Sequence, residues 1–213
     1  MNKTVCVAGA SGLVGSSIVK AALSRCYSVN GTLRDATIKD KVDYLYQLEG
    51  SNNLQLFSAD MQRSSDLDEA LSGTDAVFIA CLIPTYKGPT GVSAREMEYE
   101  QGCREIIQPT VDGCMKILKS AHKKGLRKAV ICSSTSSTNP IPTVSVKNEI
   151  DHWSDEEEQC KSKKFTSATK TVMEKAAIRF AKENNIRLSI ILPTGLYGQA
   201  ILQSICTTIR LHG

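Results

Sequence analysis

Three glycines near the start of the chain, Gly9, Gly12 and Gly15, follow the apolar run Thr4–Ala8 at a spacing suited to binding a nucleotide diphosphate. The β-branched run predicts a buried strand, and the glycines predict a tight turn that opens a helix. In such a turn Gly9 allows the sharp bend, Gly12 lets backbone amides approach a pyrophosphate, and Gly15 lets the helix pack closely on the strand. The pyrophosphate would lie at the helix N-terminus, which favours negative charge. A plain turn with a packing glycine is the alternative.

Two basic residues lie where a dinucleotide-binding fold selects its cofactor. Residues 27–33 alternate as a second strand should, and Arg34 closes that strand. At this strand end an acidic residue binds the ribose 2′-hydroxyl of NAD, whereas an arginine accommodates the 2′-phosphate of NADP. Arg34 therefore predicts NADP(H) as the cofactor, and Lys41 is a second candidate for the phosphate. The alternative is that both residues are solvated surface charges.

Strands and helices alternate at short spacing along the rest of the chain. Further strands are predicted at 53–57, 74–81, 127–132 and 186–192, and helices at 13–25, 40–48, 65–71, 98–124 and 165–183. This alternation predicts a doubly wound, mainly parallel α/β sheet with strand order 3-2-1-4-5-6 and helices on both faces. The helices around 110–121 and 166–183 are expected on the same face. Residues 138–164 are predicted to form a long polar loop, and the helix at 98–124 is predicted to be interrupted near Pro109.

The composition indicates one globular domain. The chain has 213 residues, of which 41% are hydrophobic and 23% charged, enough to bury one sizeable core. The formal charge of +4 is spread along the chain and predicts neither a nucleic-acid partner nor a membrane surface. Eight cysteines lie singly, without a Cys-x-x-Cys pair, which predicts reduced thiols, and no metal site is predicted. Since neither a leader nor a bilayer-spanning run is recognisable, a cytoplasmic protein is expected.

Eight short segments spread along nearly the whole chain form a recognisable pattern. They are GASGLVG at 9–15, TLRD at 32–35, AD at 59–60, IQPTVDG at 107–113, VICSS at 130–134, WSD at 153–155, KTVME at 170–174 and LPT at 192–194. In their order and mutual spacing these segments resemble the extended short-chain dehydrogenase/reductases. Within that family they are most similar to the branch of dihydroflavonol reductase and cinnamoyl-CoA reductase.

The resemblance implies a set of cofactor contacts along the carboxyl edge of the sheet. Asp60 and Met61 would border the adenine, Ala80 and Cys81 would line the floor of the groove, and Pro193 would touch the nicotinamide end. The glycine-rich turn, the basic residues Arg34 and Lys41, and Lys170 would hold the remaining parts of NADP(H). Those residues are Gly9, Ser11, Gly12, Leu13, Val14, Gly15, Arg34, Lys41 and Lys170.

The resemblance also implies how a carbonyl would be reduced. Ser134 would hydrogen-bond the carbonyl of a small organic substrate, and Lys170 would hold the nicotinamide ribose and lower the pKa of a tyrosine four residues earlier. Thr166 occupies that tyrosine's position. An aliphatic hydroxyl is a far weaker acid than a phenol and is shorter by a ring, so reduction should be impaired. A strand-end capping serine and a surface lysine are the alternatives for Ser134 and Lys170.

A replacement for the missing acid is not evident in the sequence. Tyr86 and Tyr197 both follow predicted strands on the side where substrate would bind, but neither has a lysine at helical spacing. The family continues beyond Pro193 with a substrate-binding lobe, whereas only residues 195–213 remain here. A fragment, or a substrate site open on that side, is therefore expected.

Three functions are compatible with these observations. The first is an NADPH-dependent reductase of a small carbonyl substrate, with Ser134, Lys170 and either Thr166 or water at the reacting centre. The second is a non-catalytic NADP-binding sensor or partner-binding protein on the same fold. The third, a nucleotide-sugar epimerase or dehydratase, is disfavoured because it needs the tyrosine and an acidic residue where Arg34 stands. A homodimer is an expectation by analogy with related proteins only.

Overall fold

A parallel β-sheet forms the centre of the computed structural model, which describes residues 3–61, 63–197 and 201. The six strands found in these residues are β1 (Thr4–Ala8), β2 (Ser28–Leu33), β3 (Leu54–Ser58), β4 (Ala76–Ile79), β5 (Lys128–Cys132) and β6 (Arg187–Ile191). Their spatial order is β3-β2-β1-β4-β5-β6, and every neighbouring pair is parallel. The predicted strand order and doubly wound architecture are confirmed.

Helices cover the two faces of the sheet. They are α1 (Leu13–Leu23), α2 (Asp43–Tyr46), α3 (Asp68–Leu71), α4 (Tyr99–Gly102), α5 (Gln108–Lys123), α6 (Glu156–Lys161) and α7 (Phe165–Glu183). Side chains alternate along β1, so that Val5 and Val7 pack in one core with α1, whereas Cys6 and Ala8 pack in the other with α5 and α7. The helices α5 and α7 contact each other on this second face, as predicted.

The long helix is interrupted close to the predicted position. A π-helical segment, Cys103–Ile107, separates α4 from α5, and Pro109 lies in the first turn of α5. The Gln108 amide donates to the Cys103 carbonyl oxygen, five residues earlier, so helical bonding continues through the interruption. Proline has no amide hydrogen to donate, which agrees with its position directly after this irregular turn. The predicted helices at 40–48 and 65–71 are shorter α-helices preceded by the 3₁₀ turns Lys39–Lys41 and Ser64–Leu67.

The prediction that residues 138–164 are all loop is wrong, because α6 lies inside that segment. The Asp155 side chain caps α6 by accepting hydrogen bonds from the amides of Glu157 and Glu158 at 2.9 and 3.0 Å. Acidic residues in the first turn and Lys161 in the last turn suit the helix dipole. Cys160 is the one buried residue of this six-residue helix, so no apolar period announces it in the sequence.

No helix in the described ranges is long and apolar enough to cross a bilayer.

Candidate active site

The glycine-rich turn is fastened to the sheet at the carboxyl end of β1. Gly9 has a φ of +87°, a conformation that residues with a side chain rarely adopt. The amides of Gly9 and Ala10 both donate to the carbonyl oxygen of Thr32 on β2, at 3.0 and 2.9 Å. The Gly12 amide in turn donates to the Gly9 oxygen at 3.0 Å. The sheet therefore fixes the direction in which α1 leaves the turn.

The N-terminus of α1 is open to an anion. Gly12 is the N-cap residue, no described side chain caps the helix, and its first turn contains no acidic residue. The amides of Leu13, Val14 and Gly15 lie in this first turn, where a helix provides no carbonyl partner. Unpaired amides and the helix dipole together favour a phosphate at this position.

Two glycines of this turn differ in how closely their surroundings approach. A Cβ atom on Gly15 would lie 1.9 Å from the Gly9 oxygen, so α1 packs on the turn at a distance that only glycine allows. A Cβ atom on Gly12 would meet only that same oxygen, at 3.4 Å, and the backbone at Gly12 is extended, with φ −80° and ψ 170°. Packing within the protein therefore requires glycine at position 15 but does not require it at position 12.

A groove of about 420 Å³ runs along the carboxyl edge of the sheet beside this turn. Its lining includes eight of the predicted cofactor residues, namely Gly9, Ser11, Gly12, Arg34, Asp60, Met61, Ala80 and Cys81. Six predicted residues are outside the lining, namely Leu13, Val14, Gly15, Lys41, Lys170 and Pro193. The groove has a volume typical of ligand-binding sites, and the uncapped amides at its edge suit a ligand that carries phosphate.

Arg34 lies exposed on the groove lining at the end of β2. The neighbouring Asp35 carboxylate accepts hydrogen bonds from the hydroxyl and the amide of Thr37, at 2.6 and 2.9 Å. These bonds, with a smaller contribution from the Lys41 charge, lower the pKa of Asp35. Within the described part of the chain Arg34 forms no ion pair, so its charge is available to a ligand in the groove.

Lys170 is a buried lysine, and the surface-lysine alternative is therefore wrong. Its side chain is on α7, the residue is 8% exposed, and its Nζ donates to the Leu82 carbonyl oxygen at 2.5 Å. Burial lowers the pKa of Lys170, and the nearby Glu174 carboxylate is among the groups that partly oppose that shift. Burial also raises the thiol pKa of the neighbouring Cys81 to about 11 and that of Cys114 to about 12, so both thiols stay neutral at physiological pH.

Ser134 lies at the end of β5, where it starts the 3₁₀ turn Thr135–Ser137. Its Oγ accepts a hydrogen bond from the Ser136 amide at 3.2 Å, which agrees with the capping alternative. Accepting through a lone pair leaves the hydroxyl hydrogen able to donate to a ligand. The Thr135 amide donates to the Pro193 oxygen at 3.3 Å, so Pro193 adjoins this turn.

Glu174 is a buried carboxyl group that sequence reasoning did not assign to the site. The Ser133 hydroxyl donates a short hydrogen bond to its Oε1, and the Ser137 hydroxyl donates to its Oε2 at 3.0 Å. Burial raises the pKa of Glu174, while both serine hydrogen bonds and the Lys170 charge act against that shift. An acidic residue one helical turn after Lys170, on a face otherwise made of residues such as Ala177, is the signal that could have revealed it.

Thr166 lies in the first turn of α7 and is half-buried. Residues four apart share a helix face, so Thr166 precedes Lys170 by one turn on the same side of α7. Tyr86 and Tyr197 are 73% and 85% exposed, and neither forms a hydrogen bond to Ser134 or Lys170 among the described residues. Neither Tyr86 nor Tyr197 is therefore held beside Ser134 or Lys170 in the described part of the chain.

Comparison with known proteins gives a consistent set of relatives. A family model described as NAD(P)H-binding matches residues 9–198. The bifunctional dihydroflavonol 4-reductase/flavanone 4-reductase of Pyrus communis is 35% identical over 209 residues, which are 95% of this chain and 57% of that protein. An anthocyanidin reductase of Vitis vinifera is 30% identical over 215 residues, 98% of this chain and 60% of the relative.

The fold is also that of a solved reductase. The crystal structure of vestitone reductase from alfalfa (Medicago sativa) superposes with a TM-score of 0.70 at 26% identity, covering 94% of this chain and 59% of that one. The chain thus spans less than two thirds of the length of these relatives.

Proposed function

This chain belongs to the NAD(P)H-binding extended short-chain dehydrogenase/reductase family, with dihydroflavonol and anthocyanidin reductases among its relatives, and we propose that it uses NADPH to reduce the carbonyl of a small organic substrate. The observation that carries the proposal is the buried Lys170, whose ammonium group lies next to the strand end that lines the groove. Lysine is rarely buried without a partner for its charge, and buried titratable groups are concentrated at functional sites.

The groove residues account for the binding of each part of the cofactor. The first-turn amides of α1 would hold the pyrophosphate, and Arg34, with Lys41, would neutralise the 2′-phosphate. Lys170 has three donors, of which Leu82 takes one, so the others can bond the ribose hydroxyls of the nicotinamide half. Bound NADPH supplies the hydride that such a reduction requires.

The substrate side of the site contributes a donor and a weak proton source. Ser134 would donate its hydroxyl hydrogen to the carbonyl oxygen, which stabilises the negative charge that develops there. Thr166, or water held near it, would deliver the proton. Because positioned general acids contribute about 10²–10⁴-fold, a threonine here predicts slow turnover.

A second candidate function is a non-catalytic NADPH-binding protein, which Thr166 favours. Both functions share the cofactor site and differ only in whether a carbonyl substrate is turned over. A nucleotide-sugar epimerase or dehydratase is less well supported, because Arg34 and Thr166 both depart from what it needs. The homodimer and the cytoplasmic location stay predictions.

Replacing Arg34 with alanine should weaken NADPH binding by about 10-fold to 100-fold, since a hydrogen bond to a charged group contributes about 1.5–3 kcal/mol. NADH lacks the 2′-phosphate, so its affinity should change little. Titration of the nicotinamide fluorescence measures both dissociation constants. Arg187→Ala is the matched control, because Arg187 is an exposed arginine at the amino end of β6, away from the groove. An unchanged preference in Arg34→Ala would refute the assignment.

NADPH affinity should decline at alkaline pH through the deprotonation of Lys170. Burial lowers the pKa of this lysine, so its ammonium is lost below the ordinary lysine value of about 10.4. The charged form is the one that binds, so affinity is complete below the lowered pKa and falls as the pH rises through it. Fluorescence titration across this range should show the decline in the parent and a flat profile in Lys170→Met. A decline that persists in Lys170→Met would assign it to another group.

A further inference from the structure

The turn that carries Ser134 is held at both of its ends by one carboxylate. Ser133 immediately precedes Ser134 and donates to Oε1 of Glu174, while Ser137, three residues further on, donates to Oε2. The Ser137 hydroxyl also lies 2.9 Å from the carbonyl oxygen of Ser134. Glu174 is 1% exposed, so water does not compete for these contacts.

A second set of contacts holds the middle of the same turn. The Ser136 carbonyl oxygen accepts from Gln159 Nε2 at 2.9 Å and from the Ser154 hydroxyl at 2.8 Å. Gln159 in turn accepts from the Thr171 hydroxyl at 2.9 Å. The turn is therefore tied to α7 directly through Glu174 and indirectly through Gln159.

The three α7 residues of the site follow one another at the helical repeat. Thr166, Lys170 and Glu174 are each four residues apart and therefore lie on one face of the helix. In the proposed function, Thr166 lies at the proton-donating position. Lys170 binds the Leu82 oxygen and, in the same function, the ribose. Glu174 contacts the turn of Ser134, so the helix that carries Thr166 and Lys170 also holds the turn that carries Ser134.

We propose that Glu174 is a positioning residue for carbonyl reduction, which fixes the Ser134 hydroxyl relative to Lys170 by binding Ser133 and Ser137. The proposal rests on the proposed reductase function. The alternative is that Glu174 only stabilises the fold. A carboxylate with two hydroxyl donors suits positioning because it constrains both ends of the turn through one side chain.

The test compares Glu174→Leu with Glu174→Gln in a Thr166→Tyr background, where turnover should be measurable. Leucine keeps the apolar volume but removes both acceptors, so kcat should fall about 100-fold, the effect of a misplacement of about 1 Å. The amide of glutamine can accept from one serine and donate to the other, so kcat should recover to within about 10-fold of the background. The KM for the carbonyl and the stoichiometry of NADPH binding should stay near those of the background.

Hydrogen exchange of the Ser136 and Ser137 amides tests the same contacts without any turnover. These amides bond Ser134 within the turn, so their exchange should accelerate in Glu174→Leu and not in Glu174→Gln. Glu183→Leu is the matched control, because Glu183 is an exposed carboxylate in the last turn of the same helix. If Glu174→Leu does not fold, the double variant Ser133→Ala, Ser137→Ala removes both contacts from the other side and should give the same result.

The outcomes separate the two proposals. Unchanged exchange in Glu174→Leu would overturn the positioning role, whatever the activity. A second result would also overturn the positioning role. If kcat falls only as far as the number of NADPH-binding sites falls, and Glu174→Gln does not restore it, the role of Glu174 is purely structural. If the Thr166→Tyr background turns over no carbonyl substrate, the reductase function fails, and the exchange rates alone decide whether Glu174 holds the turn.

Discussion

Replacing Thr166 with tyrosine should raise carbonyl reductase activity by about two to four orders of magnitude, which is the usual contribution of a positioned general acid. The new phenol would lie one helical turn before Lys170 on the same face of α7. The buried ammonium group would lower the phenol pKa, and the ring would extend towards the carbonyl that Ser134 is proposed to bind. Oxidation of NADPH, followed with a panel of aldehydes and ketones, measures the gain.

Two further variants isolate the phenol as the cause. Thr166→Phe adds the ring without the hydroxyl and should not raise the activity above that of the parent. Lys170→Ala in the Thr166→Tyr background should remove the gain and weaken NADPH binding together. A Thr166→Tyr variant that binds NADPH like the parent but reduces nothing in the panel would favour the non-catalytic NADPH-binding function.

Replacing Gly15 with alanine should destabilise the domain by about 1–3 kcal/mol or more, as overpacking of a close backbone contact does. The new Cβ would overlap the Gly9 oxygen at 1.9 Å, and both sides of the contact are backbone that cannot rotate away. Urea denaturation measures the free energy of unfolding. Because α1 must shift away from the turn, NADPH binding should also be lost.

Gly12→Ala is the matched variant, which should weaken NADPH binding without destabilising the domain. Its Cβ meets only one atom, at 3.4 Å, and its backbone angles suit alanine, so the free energy of unfolding should stay near that of the parent. The methyl group would nevertheless occupy the approach of a pyrophosphate to the α1 amides. Each charge-assisted hydrogen bond lost should weaken NADPH binding by about 1.5–3 kcal/mol. Full NADPH affinity in Gly12→Ala would place the pyrophosphate elsewhere.

The sheet and its glycine-rich turn were predictable because their signals are local. The apolar run of β1 ends directly at the glycines, and repeated strand–helix spacing leaves few topologies for a parallel sheet. The helix α6 was missed because a six-residue helix with a single buried side chain has no hydrophobic period. Its start was nevertheless encoded, by the capping Asp155 followed by three glutamates.

Within the candidate active site, only the residues that the family resemblance covers could be assigned from the sequence. Ser134 and Lys170 were named from that resemblance, and the structure adds the groups that hold them. The contact between Lys170 and the Leu82 oxygen, and the pairing of Glu174 with Ser133, each join residues far apart in the chain. Tertiary packing creates such contacts, and no spacing within a single segment encodes them.

The central position of β1 couples ligand binding to the cooperative unfolding of the whole domain. This strand pairs with β2 on one side and with β4 on the other, and the turn that follows it bonds Thr32 of β2, so the geometry of the turn depends on the folded sheet. A ligand bound by that turn therefore stabilises the folded state alone, by about 2.7 kcal/mol at 100 times its Kd. The shift in melting temperature can accordingly rank nucleotides by affinity, even in a variant that has no turnover.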